Sequence, residues 1–220
     1  MMLVTSRRMM IGVVVLLMVV MLPQWINESR EQEVPSLNAE QIESLRVEYP
    51  LYNQMPPLYD GRLPSFEEIV HRSESLVLAE VVQALSDTEF VLSNPLADNP
   101  EWNEKKTRLG LEDAVLAYER YELSVIRFIA GKEIEGRFIL LSLPWNSGYE
   151  PQYKPGMKVI LPLGPESGDR AGMYSTSKFG FFYVIDDTNV LTAVEHSSID
   201  RWNGEPVSKV IQAIQEMKKT

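Results

Sequence analysis

Two kinds of hydrophobic pattern divide the chain. From Met9 to Leu22 fourteen consecutive positions are apolar or glycine, behind Arg7 and Arg8 and ahead of Pro23, Gln24 and Trp25. Further on, the apolar residues come in short runs of strand length. In YERYELSVIRFIAG (118–131), Tyr121, Leu123 and Val125 fall on one face and Glu122 and Ser124 on the other, the period of two of a half-buried strand. The run then turns apolar on both sides at Ile126, Phe128 and Ile129, which predicts a bulge near Arg127. Further strands are predicted over 76–85, 137–143, 157–163, 179–185 and 190–194, with 88–92 returning as a partner after Ser86 and Asp87. Asp186, Asp187, Thr188 and Asn189 have the composition of a hairpin loop between the last two.

Helix signals are fewer. Ser65 with Glu68 makes a capping box that opens a short helix carrying Phe66, Ile69 and Val70 on one side, and Asn38 with Gln41 makes a second, with Leu37 placed to staple against Ile42. After Pro206, residues Val207, Val210, Ile211, Ile214 and Met217 share one helical face, and Lys218 and Lys219 complement the dipole at its end. Residues 93–113 hold two prolines, each behind an asparagine in a turn-favouring Asn-Pro pair, and little periodicity, and read as an insertion or long loop.

The N-terminal run fits a membrane segment. Fourteen helical residues span ~21 Å, short of a ~30 Å hydrocarbon core, and Trp25 and Ile26 carry the apolar character into the interface. No small-residue cleavage site follows Leu22, and the first alanine is Ala39, so an uncleaved signal anchor is favoured over a signal peptide removed on secretion. The arginines stay on the cytoplasmic side and the rest of the chain is exported. Six of the ten methionines lie at or before Met21, so the methionine content belongs to this segment.

These patterns divide the chain into a signal anchor or signal peptide (1–26), a Pro-containing spacer that packs on the domain (27–64) and a folded domain (65–220). The domain is expected to be mainly β: a small OB-like barrel with a short N-terminal helix, the 93–113 insertion and a C-terminal amphipathic helix over 206–218. Asn27-Glu28-Ser29 is a glycosylation sequon by spacing alone. With 31 acidic against 21 basic side chains, the formal charge of the 220 residues is −10, which opposes a nucleic-acid partner. The absence of cysteine removes disulfides, thiol nucleophiles, thiolate metal sites and an N-terminal lipidated cysteine.

SLVLAEVVQ (75–83), YERYELSVIRFIAGK (118–132) and YKPGMKVILPL (153–163) together resemble uncharacterised exported bacterial domains with an OB-like or netrin-like barrel. The resemblance covers roughly 65–195. Ala79 stands where a glycine often ends the first motif, and Ala130-Gly131-Lys132 departs from the usual Lys-Gly order. It implies the barrel and carries no activity or site.

Candidate chemistry is sparse. His71 and His196 are the only histidines and form no H-E-x-x-H, so no metal or cofactor is expected; His71 is placed to pair with Glu67 one turn away. Ser175 and Lys178 match S-x-x-K without the partner motifs of penicillin-recognising enzymes. The carboxylate pairs Asp186-Asp187, Glu112-Asp113, Glu67-Glu68 and Glu133-x-Glu135 read as solvated turns and surfaces, and calcium at Asp186, Asp187 and Asn189 lacks EF-hand spacing. Exposed aromatic residues are common anchors for partners, which makes Trp102, beside Lys105, Lys106 and Arg108, and Trp145, Tyr149 and Tyr153 the candidate ligand-binding residues; the competing reading has the rings plugging the barrel end. The function expected is a membrane-tethered, exported, non-catalytic module that binds a protein or cell-envelope component, anchored through residues 9–26. The alternative is a carboxylate-dependent hydrolase of the envelope, disabled by Asp186→Asn or Glu150→Gln.

Overall fold

A computed structural model describes residues 34–54, 62–91, 99–111, 115–142 and 148–219. The 9–26 segment, the Asn27 sequon, Glu112-Asp113 and Trp145 lie outside them. Among the described residues no helix is long and apolar enough to cross a membrane.

In chain order the elements are α1 (Ala39–Leu45), α2 (Phe66–Arg72), β1 (Ser75–Val91), α3 (Pro100–Leu109), β2 (Val115–Gly131), β3 (Arg137–Ser142), β4 (Lys158–Pro165), β5 (Met173–Thr176), β6 (Phe182–Ile185), β7 (Asn189–Thr192) and α4 (Val207–Lys219). The chain is mainly β: its strands form one mixed sheet in the order β1-β2-β3-β5-β4-β6-β7. β1 also pairs with β4, so the pairings run from β1 through β2, β3, β5 and β4 back to β1, and β6 and β7 continue from β4. The β3–β5 contact is parallel and the others are antiparallel.

Strand alternation sorts side chains into two cores. Val77, Ala79, Val81, Val159, Leu161, Leu163, Phe181, Tyr183 and Leu191 gather on one face with Leu123, Phe138 and Leu140. The residues between them, Leu76, Ile160, Phe182, Val184 and Val190, face the other way, onto Phe66 and Val70 of α2 and Val210, Ile211 and Ile214 of α4. Both faces of these strands are buried, so they read as continuous apolar runs. On β2 the register shifts fall on either side of Arg127, where the apolar pattern doubles. The extra residue sends Ile129 to the helix-facing core while Leu123, Val125 and Phe128 serve the other.

Both capping boxes form as their sequences predict. The β6–β7 hairpin closes through a three-residue loop, Asp186–Thr188, between the paired Ile185 and Asn189; Asp186 and Asp187 both take positive φ (48° and 61°), and the Thr188 N–H donates to the Ile185 carbonyl (2.9 Å). α4 buries the expected apolar stripe, but the Lys218 ammonium serves a different helix: it donates to the carbonyls of Val70, His71 and Ser73 at the end of α2.

Three expectations are corrected. Ser86 and Asp87 make no turn: β1 runs unbroken for 17 residues, because the extra residues are absorbed by a register shift between Leu85 and Thr88 and Arg120 binds Ser86 through its carbonyl and hydroxyl. The 93–113 segment is not all loop. Asn99 caps α3, Pro100 opens it and Gly110 closes it in the left-handed conformation, each favourable at its position. The strand expected over 179–185 shortens to β6 because Lys178–Gly180 forms a 3-10 turn, while Met173–Thr176, given no strand from sequence, pairs with β3 and β4.

Candidate functional site

The first candidate surface lies at the far end of the β1–β2 ribbon. β4 covers β1 only from Ser75 to Glu80, and β3 flanks β2 as far as Glu119; beyond that, Thr88–Val91 and Val115–Tyr118 continue as a two-stranded arm. The last pair of the ribbon is exposed, Val91 (54%) and Val115 (50%), and so are Leu109 (55%) and Leu111 (49%) at the end of α3, which precede Val115 closely in the chain. Trp102 sits in the first turn of α3, half-buried, and its indole N–H is enclosed with no acceptor among the described residues. The arm is pinned at its middle by Arg170, which bonds Glu166 (2.8 Å) and the Tyr118 hydroxyl (3.3 Å) and lies over the rings of Phe90 and Tyr118; such cation–π contacts are worth about 0.5–1 kcal/mol at exposed sites.

The second region is the aromatic end of the sheet. Tyr49, Tyr183, Phe181, Tyr153 and Tyr121 form a continuous ladder with ring centroids 4.8–5.9 Å apart. Tyr153 is therefore a core ring, 6% exposed, and is not available as the surface contact its sequence position favoured. Burial pushes its phenol well above the ordinary value, with Glu150 adding in the same direction. Tyr183 and Tyr121 are raised by the same cause, helped by Tyr52 and Glu119 respectively. Tyr149 is half-buried, and its known contact is made by its backbone: the carbonyl accepts from Lys178 at 2.8 Å.

Lys178 is the side chain that sequence reasoning undervalued. It is 5% exposed and its ammonium donates to three carbonyls, of Tyr52 (2.9 Å), Gln54 (2.6 Å) and Tyr149 (2.8 Å). Burial lowers its pKa, partly countered by Glu150. All three of its donors are engaged, so it is arranged to tie chain segments together. Ser175 lies in β5, paired with Gly164, and Ser177 caps the turn that carries Lys178. S-x-x-K here serves a buried lock.

Residues 36–54 form an arm across the neighbouring edge. Leu37 donates to Gly204 (2.8 Å) and Tyr52 to Ala193 (2.7 Å). Arg46 reaches the Thr192 carbonyl (2.8 Å) and the Asn203 side chain (2.9 Å); burial lowers its pKa. Asn53 exchanges two bonds with Glu195. Gly204, at φ 82°, lies against Leu37 and Ile42, where a Cβ would come within 2.9 Å of the Ile42 side chain.

Three carboxylates of the sequence reading, Asp187, Glu67 and Glu68, are engaged in ion pairs or caps. Asp187 holds Lys158 (2.7 Å), Glu67 holds Arg201 (2.9 Å) in place of the expected His71, and Glu68 holds Arg62 and the Ser65 N–H. His196 Nδ1 is 2.8 Å from the Ser198 hydroxyl, which also accepts from the Phe66 N–H, and the His196 N–H donates to Asp200. That is the bonding of a turn before a 3-10 segment. Among the described residues no group of three His, Asp or Glu side chains gathers to hold a metal.

No protein-family model matches the chain. No curated protein matches it.

Proposed function

We propose that the chain is an exported, membrane-tethered interaction module built on an OB-like barrel, with the outer end of the β1–β2 ribbon and α3 as the surface that meets a protein partner of the cell envelope. The cycle of pairings from β1 through β2, β3, β5 and β4 back to β1 supports the barrel, as does the core enclosed by one face of those strands. The tether rests on the apolar run at 9–22 behind its two arginines.

The observation that carries the binding surface is the exposure of large hydrophobic side chains at Val91, Val115, Leu109 and Leu111, the last two close to Val115 in the chain. Grouped apolar exposure rimmed by polar residues marks protein contact sites. The rim is of mixed sign, with Glu101, Glu104, Lys105 and Arg108 on α3, which suits a protein surface better than a polyanion. On the β1 side of the ribbon, Gln83–Val91 supplies no residue to either core, which leaves that stretch available for contact.

Photo-crosslinking side chains placed singly at Val91, Leu109 and Val115, with the solvent-facing Val47 (94% exposed) as control, test the reading in intact cells. One common adduct from the ribbon end, absent from Val47 and lost in a Val91→Asp, Leu109→Asp chain, is expected. Equal labelling from Val47, or no adduct from any ribbon position, overturns it.

A further inference from the structure

The arm over residues 36–54 is bound in the manner of a ligand. α1 buries none of its residues, and the firm contacts come from the stretch after it. Tyr49 and Tyr52 pack on the core, Pro50 accepts from the Tyr183 hydroxyl (3.2 Å), the Tyr52 N–H donates to Ala193 (2.7 Å), and the Tyr52 and Gln54 carbonyls accept from Lys178. Main-chain bonds along a sheet edge together with seats for particular side chains are how extended peptides are recognised by strand addition.

The lysine makes this seat unusual. Two of its three acceptors belong to the arm and the third to Tyr149, so withdrawal of the arm removes two of the three bonds its ammonium makes in the fold. A segment that brings two carbonyls to the same place restores them.

We propose that the seat formed by Lys178, Tyr183 and the Ala193–Glu195 backbone is a binding site for extended peptide, filled in cis by residues 49–54 and taken in trans by a partner segment with aromatic residues three positions apart around a proline. The pattern is that of the resident segment, Tyr49-Pro50-Leu51-Tyr52. The exchange goes beyond the ribbon-end reading and occurs on a separate part of the molecule. A tethered segment competes with an effective concentration in the millimolar range, so the free seat is rarely offered until the arm is weakened.

The full chain has no cysteine, which allows a clean test. Asn53 and Glu195 bond side chain to side chain and side chain to backbone (3.0 and 2.7 Å), so Asn53→Cys with Glu195→Cys locks the arm when oxidised. In that background Arg46→Gln loosens it by removing the bonds to Thr192 and Asn203. Binding of a fluorescein-labelled peptide, EYPLYNQ (residues 48–54), is read by anisotropy, with a scrambled peptide as control. The reduced protein is expected to bind at least tenfold more tightly than the oxidised one and to ignore the scrambled sequence. Equal binding in the two redox states, or equal binding of the scrambled peptide, overturns the proposal. Should Arg46→Gln fail to fold, Tyr52→Ala replaces it and the same outcomes decide; photo-crosslinks from the ribbon end are read separately, so failure of one reading leaves the other standing.

Discussion

The two halves of β1 share one strand and have opposite fates. From Ser75 to Val81 the strand is held on both sides, by β2 and β4, and its residues supply both cores; from Gln83 to Val91 it has β2 alone and ends in exposed valine. Pairing with β2 continues through both halves, and only the inner one has a second partner strand. The difference lies in what covers the side chains, and it separates the part of the strand that supports the fold from the part free to meet something else.

The largest expected effect belongs to the inner half. Leu76 is fully buried among the residues of α2 and α4, so Leu76→Ala should cost about 2–5 kcal/mol, measured by urea unfolding; a loss under about 1 kcal/mol would remove the distinction between the halves. Next comes Gly131, opposite Ser75 at the closed end. Its φ is 93°, and a Cβ there would collide with the Glu74 carbonyl. Strain of this kind costs roughly 1–3 kcal/mol, and Gly131→Ala should lower the melting temperature accordingly, whereas Gly110→Ala, with open space around it, should lower it less.

Alkaline pH probes the same inner region chemically. Tyr49, Tyr121, Tyr153 and Tyr183 all have phenol pKa values raised above 10.0, chiefly by burial. The folded state keeps these protons while the unfolded chain releases its own near pH 10, so the stability they contribute is complete below pH 10 and is lost as pH rises beyond it. Lys178 acts in the opposite sense, since its lowered pKa means the cost of burying its charge fades as pH approaches 10.5. Four phenols outweigh one amine, and unfolding midpoints should fall between pH 9.5 and about 11.5. A flat profile there would mean the ladder is open to water. The smallest effect belongs to the outer half: Val91→Ala should shift stability by no more than about 0.5 kcal/mol, while amide exchange over 83–91 runs faster than over 76–81.

Local signals in the sequence were informative wherever neighbouring residues decide the outcome. Ser65 with Glu68 and Asn38 with Gln41 need only their own turn of chain, and both boxes form; the doubling of apolar positions at 126–129 marked the bulged part of β2. α3 also left its marks, an asparagine, a proline and a terminal glycine, but without an apolar stripe they passed for turns. The four-residue β5 depends on β3 and β4, more than thirty and about ten positions away, and no local preference announces it. The tie at Lys178 was out of reach for a similar reason: its acceptors lie up to 126 positions distant, and a lysine among Ser, Thr and Phe looks like any surface lysine. Of the four aromatic residues favoured for binding, the structure takes Tyr153 into the core and leaves Tyr149 and Trp102 half-buried, because composition distinguishes ring from non-ring but not inside from outside.

The ammonium of Lys218 closes the carbonyl end of α2 across 145–148 positions of chain. A nascent chain delivers α2 well before Lys218, so the helix that starts the domain waits for some 145 further residues before its final turn is secured. Contacts of such long range are made slowly, and few stable stopping points precede them.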